Sequence, residues 1–300
     1  MNVNRRQALT LFASAATATL ALAQENTKGP GPGGAGPGGA GKGKGPRPEL
    51  PPPTGPVLPI KTTGLEHMGM TVPNPEAMAK FYGQIFDPQL FKERDIANRF
   101  YCKLGTAYIA FGTNADVKVG KIDHICALAV DYQASYVKTA LEGLGITISG
   151  TGPGAMPTDG DGMKLQLLGV PGGLAGTIIP AGRISQEDPI VQAIGIDHIT
   201  QWVSNLDASA KFYGAFFGKE ASRTANKVTF DVARTKLVLE KAPAGEAPRV
   251  HHFSLRVAGL NKKDVTAKLT ALGAKIAPSG DEGFLRFQDL DGFICELKPA

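Results

Sequence analysis

The sequence predicts an α+β chain of four repeated modules, each a strand, a helix and further strands, and three observations carry that prediction. The first is a shape that recurs: "GLEHMGMTV" from Gly64, "KIDHICALAV" from Lys121, "GIDHITQWV" from Gly195 and "VHHFSLRV" from Val250 each put a histidine near the head of an alternating, strand-like run. The second is spacing. The steps from His67 to His124, His198 and His252 are 57, 74 and 54 residues, the length of one supersecondary unit each. The third is a repeat of a pair. "NPEAMAKFYGQIF" and "NLDASAKFYGAFF" share AKFYG at 79–83 and 210–214, whereas the second and fourth modules share a different helix ending, "KTALEGLG" and "KLTALGA". A two-module unit has been duplicated, with halves at 64–183 and 190–300 joined by "ISQEDPIVQ".

The helices of modules one and three open at capping residues, read as Asn74 and Asp207. Ahead of the modules, residues 1–23 carry Arg5-Arg6, a short apolar run rich in Ala and Thr, and a small-x-small end at Ala21-Leu22-Ala23. This reads as a twin-arginine export signal cleaved before Gln24, too short to remain as a membrane span, and with no cysteine after it to carry a lipid. A periplasmic or secreted protein without a stable membrane anchor is expected. Residues 24–63, dominated by Gly and Pro, cannot bury apolar surface and read as a disordered tether.

The charge locates itself in the same place. Residues 1–63 hold seven Lys and Arg against two acids, which is the whole +5; the modules are neutral, so nucleic acid is not an expected partner. Cys102, Cys126 and Cys295 have no CxxC spacing and suggest neither a disulfide framework nor a thiolate zinc site. Nothing in the sequence codes an oligomeric state.

The histidine strands, "KFYG" in the helix and "DLDGFICEL" at the end resemble the vicinal oxygen chelate superfamily, which includes glyoxalase I, bleomycin-binding proteins and extradiol dioxygenases. The resemblance covers residues 64–300. It implies βαβββ modules paired into two cupped, mixed or antiparallel sheets, each around a pocket. It also implies a divalent ion whose site is closed by an acid on the last strand of a module.

Alternation then sorts the side chains. Phe253, Leu255 and Val257 suit the helix side, leaving His252, Ser254 and Arg256 for the cup; His198, Thr200 and Trp202 share a face by the same parity. His251 falls on the apolar side. Module three ends "TKLVLEK" and module four "GFICELK", so His198 to Glu240 is 42 residues and His252 to Glu296 is 44. A carboxylate aimed into a sheet interior needs a partner. One divalent ion (Zn, Ni, Co, Mn or Fe) on His198, Glu240, His252 and Glu296 supplies it, and the resemblance to glyoxalase I implies a lyase or isomerase in which Glu240 or Glu296 loosens and acts as base on a small oxygen-rich substrate.

Thr200, Trp202, Thr229, Asp231, Ser254, Arg256, Arg286 and Gln288 would line the cup, the two arginines either clamping an acidic substrate or pairing with protein carboxylates. A second assignment uses only His198, His252 and Glu296, as an Fe(II) extradiol dioxygenase would, though neither the further histidine nor the tyrosine of those enzymes precedes Glu296. A third is a binding protein without catalysis. The first half keeps His67 and His124 but places Phe111 and Gly176 or Thr177 near the acid positions, so its cup is expected to be structural.

Overall fold

The computed structural model describes residues 51–152, 154–174 and 176–300. The expected export signal and the tether up to residue 50 lie outside the described residues. The end of the expected tether does not run free: Ile60 is buried, its N–H donates to the carbonyl of Phe216 at 2.8 Å, and the first strand begins at Thr62.

Each alternating histidine run becomes a strand whose parity divides it between two faces. In the first half these are β1 (Thr62–Thr71) and β5 (Lys121–Ala129), and in the second β8 (Gln192–Val203) and β12 (Arg249–Ala258). Module one continues through α1 (Pro75–Phe86), β2 (Gln89–Glu93), β3 (Phe100–Leu104) and β4 (Ala107–Gly112). Module three runs through α3 (Leu206–Phe217), β9 (Ser222–Arg223), β10 (Lys227–Val232) and β11 (Thr235–Lys241), and module four through α4 (Lys262–Ala271), β13 (Lys275–Ala277), β14 (Leu285–Gln288) and β15 (Ile294–Pro299). All three are βαβββ.

Module two departs from the pattern. Between α2 (Ala134–Gly143) and β6 (Lys164–Gly169) the chain "SGTGPGAMPTDGDG" is too rich in Gly and Pro to sustain ladder pairing, and the module's last strand, β7 (Ile178–Arg183), crosses to the far edge to pair with β2.

Two mixed sheets result, ordered β6-β5-β1-β4-β3-β2-β7 and β13-β14-β15-β12-β8-β11-β10-β9. In each, the two histidine strands lie side by side and antiparallel, flanked on the outside by a strand of their own module that runs parallel to them: β4 beside β1, β6 beside β5, β11 beside β8 and β15 beside β12. That arrangement brings a first-strand histidine and a side chain of that parallel strand together. The helix N-termini follow the sequence with one correction. Asn74 caps α1 by accepting from Ala77 N–H, but α3 is capped by Asn205, which accepts from Ala208 N–H at 3.0 Å; Asp207 lies in the first turn and pairs with Arg223.

Residues 52–300 form one compact unit with a shared core. The two KFYG helices help to join its halves. Tyr82 of α1 donates to Asp289 Oδ2 at 2.6 Å, and Tyr213 of α3 donates to Asp159 Oδ2 at 3.1 Å, each reaching an aspartate of the other half. The two aspartates hold equivalent turns: Asp159 Oδ1 accepts from the N–H groups of Asp161 and Met163, and Asp289 Oδ1 from those of Asp291 and Phe293.

Candidate metal centre

Strand register builds the centre. Across the second sheet Glu296 pairs with Ser254 and Ser254 with His198, so the two larger side chains flank a serine; His252 lies two residues along β12. Because Ser254 is small, His198 and Glu296 can lean together above it. One donor atom from each of His198, His252 and Glu296 falls within 4.8 Å of the others. The two Nε2 atoms are 3.3 Å apart, and Glu296 Oε1 is 4.0 Å from His198 Nε2.

The surroundings fix which atoms face inward. Asp197 Oδ2 lies 2.9 Å from His198 Nδ1; a carboxylate only accepts, so Nδ1 carries the hydrogen and Nε2 is the ring atom turned toward the centre. Asp197 is held well into its charged form, at about 2, first by this hydrogen bond and then by Lys298. His252 Nδ1 is 3.0 Å from His251 Nδ1. Burial, then the positive charge of Arg286, push His252 down to about 2, so its ring is neutral; the tautomer that gives Nδ1–H to His251 is the one that leaves Nε2 free for a metal. Arg286 donates to Glu296 Oε2 through both Nε (3.2 Å) and Nη2 (2.7 Å), leaving Oε1 for the centre.

These residues fit a divalent ion. Two imidazole lone pairs aimed at one point gain nothing from each other, and of the 3%-exposed carboxylate beside them Arg286 takes only Oε2, which leaves Oε1 facing those lone pairs. Beneath them the Oγ of Ser254, fully buried, has no protein hydrogen-bond partner, the one such side-chain atom among the described residues. Two nitrogens and one carboxylate oxygen, each oriented by a second residue, are the donor chemistry of Zn, Mn or Fe(II) sites.

Glu240 stands apart from this group. Its partner across the parallel β8–β11 ladder is Trp202, four residues along from His198, and its carboxylate meets Lys227 of β10 at 3.2 Å. The residue of module three equivalent to Glu296 is Val238, which pairs with Thr200 just as Glu296 pairs with Ser254. Glu240 shares its parity but lies two residues further on, about 7 Å at strand rise.

The remaining cup residues divide. Thr200 is buried beside Val238, and Trp202 is stacked on the ring of His251 (centroids 4.0 Å apart) with Arg249 over its other face. Thr229 is buried on β10, while Asp231 is exposed and bridges to Lys236; Gln288 is half-buried and lines a cleft of about 520 Å³ between the halves that His251 also reaches. Both arginines are engaged with the protein: Arg286 with Glu296, and Arg256 with Asp197 at 3.6 Å and the carbonyl of Arg234. His251 escaped the parity argument because a bulge between Val250 and His252 shifts the register, letting two adjacent histidines serve one site.

The first half repeats the frame. His67 and His124 stand edge to face with centroids 5.5 Å apart and planes at 88°, against 5.4 Å and 88° for His198 and His252. The register corrects the acid positions expected there. Ala110, rather than Phe111, pairs with Gly69 at the place of Val238. Gln166 on β6, rather than Gly176 or Thr177, pairs with Cys126 at the place of Glu296, since β7 is not the strand that flanks β5.

Fold and site together define the vicinal oxygen chelate, or glyoxalase-like, architecture with a metal-ligand group in its second half. Residues 195–297 match the profile of the Glyoxalase/Bleomycin resistance protein/Dioxygenase superfamily. No curated protein sequence matches the chain. Among solved structures, the Mn(II)-bound glyoxalase from Novosphingobium aromaticivorans is 16% identical with a TM-score of 0.57, over 79% of this chain and 82% of that one. The 2,3-dioxygenase LapB from Pseudomonas sp. KL28 is 16% identical (TM-score 0.58, 80% and 93% covered), and a catechol 2,3-dioxygenase 14% identical (TM-score 0.60, 80% and 89% covered). At these identities the likeness is one of fold.

Proposed function

We propose that this protein is an exported, metal-dependent oxygenase of the extradiol type, in which His198, His252 and Glu296 would hold Fe(II) for reaction with a small oxygen-rich substrate. The observation that carries the reading is the three-donor set itself: a valine stands where a fourth ligand would complete a glyoxalase-like site, and the two-histidine, one-carboxylate group is the donor set of non-haem Fe(II) oxygenases. An ion held by these residues would supply Lewis acidity toward substrate oxygens. The chain's own residues supply the rest. Asp197 and His251 fix the ring tautomers, and Arg286 holds Glu296 to one donating oxygen. Arg256 and Lys298, both beside Asp197, keep the cup side positive and favour an anionic or ionisable substrate. The twin-arginine motif supports loading in the cytoplasm before release to the periplasm.

The test is metal content and dioxygen uptake with a catechol probe, on protein made through its own export route. One iron per chain is expected, kept in Glu240→Ala and lost in His198→Ala and Glu296→Ala, with uptake following the iron. Loss of the ion in Glu240→Ala would return the assignment to a four-ligand, glyoxalase-like isomerase or lyase; no ion under any loading would leave a small-molecule-binding protein.

A further inference from the structure

We infer that the first half holds a second metal cradle, kept empty by a single amide, Gln166. This rests on the metal reading of the second half and extends it to residues outside the matched profile. The frame is reproduced piece by piece. His67 pairs with Cys126 and Cys126 with Gln166, as His198 pairs with Ser254 and Ser254 with Glu296. The two histidine pairs have the same separation and the same perpendicular planes. The residue before each module's histidine orients Nδ1 in the same way, Glu66 on His67 at 3.1 Å and Asp123 on His124 at 3.3 Å. Gly69 leaves room for the His124 ring: a Cβ there would fall 1.9 Å from it.

What differs is the occupant of the centre. Glu296 leaves Oε1 4.0 Å from His198 Nε2, too far for a hydrogen bond, whereas Gln166 Oε1 lies 2.8 Å from His67 Nε2. With Nδ1–H given to Glu66, neutral His67 has only a lone pair at Nε2. A half-turn of the carboxamide, which exchanges an oxygen for an NH₂ group of the same shape, gives that lone pair a donor. A carboxylate has no hydrogen to give. The same position therefore selects a hydrogen bond when it is Gln and a cation when it is Glu. Cys126, in place of Ser254, adds a buried sulfur within 4.8 Å of donor atoms of His67 and Glu66 and biases the cradle toward softer divalent ions such as Zn²⁺ over Mg²⁺ or Ca²⁺.

The experiment counts Mn(II) and Zn(II) bound to the full chain by equilibrium dialysis and elemental analysis, with no activity required. The native chain is expected to bind one ion and Gln166→Glu two; Gln166→Glu combined with Glu296→Gln should bind one, lost again on His67→Ala. A folded Gln166→Glu chain that still binds one ion overturns the inference. If Gln166→Glu does not fold, the converse decides: Glu296→Gln should lose its ion with the fold intact, and retention would show that an amide at this position does not exclude metal. A native chain with no ion defeats the metal reading of the second half, and Gln166→Glu then tests the first half separately, one ion sustaining the cradle and none ending it.

Discussion

Arg286 does for Glu296 what Asp197 and His251 do for the two histidines: it occupies the atom that must not face the centre. Its guanidinium takes Oε2 by two hydrogen bonds, so one carboxylate oxygen is left to coordinate. Arg286→Ala is expected to weaken metal binding about 10- to 100-fold, the usual effect of losing such a partner, without unfolding the chain; chelator competition measures it, and unchanged affinity would mean that Glu296 is oriented by packing alone. His251→Phe makes a parallel case. Phenylalanine keeps the stack on Trp202 but cannot accept from His252, so metal affinity should fall while the melting temperature stays within a few degrees, as calorimetry beside the same titration would show. These residues also mark how far the sequence reaches. Parity put His198, His252 and Glu296 on one face, because the side-chain period of a strand is fixed. Parity says nothing about depth along the strand. Glu240 has the right face at the wrong level, and Gln166 was hidden because the strand of module two that flanks β5 could not be placed without the ladder.

At the scale of elements, repeated motifs foretold the strands and helices wherever both copies keep their turn chemistry, and failed where one copy lost it. Among the described residues of 144–163 module two has no strand where modules one, three and four keep theirs, and module four carries the turn Asp289-Leu290-Asp291-Gly292 ahead of β15. Its partner at Asp159 forms the same turn. In the β14–β15 turn, burial raises the Asp289 carboxyl to about 6, against the opposing pull of the Tyr82 hydroxyl and two backbone N–H groups. Folded Asp289 thus holds its proton to a higher pH than the unfolded chain does. The stability this contributes is present below about pH 4 and is lost as pH rises through about 6, a change of about 3 kcal/mol for a shift of this size. Urea unfolding across that range, for the native chain and Asp289→Asn, should show their stability difference moving against the native chain by that order as pH rises. A difference independent of pH would remove Asp289 as the titrating group.

At the scale of the molecule, the duplication has not produced two independent bodies. Tyr82 reaches Asp289 and Tyr213 reaches Asp159, so each half closes a turn of the other, and Phe81 and Tyr82 of α1 lie within 6.3 Å of Phe287 and Phe253 of the second sheet. Removing one hydroxyl leaves a buried carboxylate short of a donor, which costs about 1–3 kcal/mol. If each half stood on its own, Tyr82→Phe would lower the stability of one and spare the other, splitting the thermal transition into two. The shared core predicts the opposite. The native chain, Tyr82→Phe and Tyr213→Phe should each unfold in a single calorimetric step with matching calorimetric and van't Hoff enthalpies, the variants at lower temperature. By the same reasoning a chain cut at residue 190 would uncover the apolar surface beneath α1, so the second half alone should aggregate or bind a hydrophobic dye even though it carries the whole metal-ligand group. A soluble, cooperatively folding second half that still takes up one ion would show that the cross-half tyrosines tune stability but do not create the site.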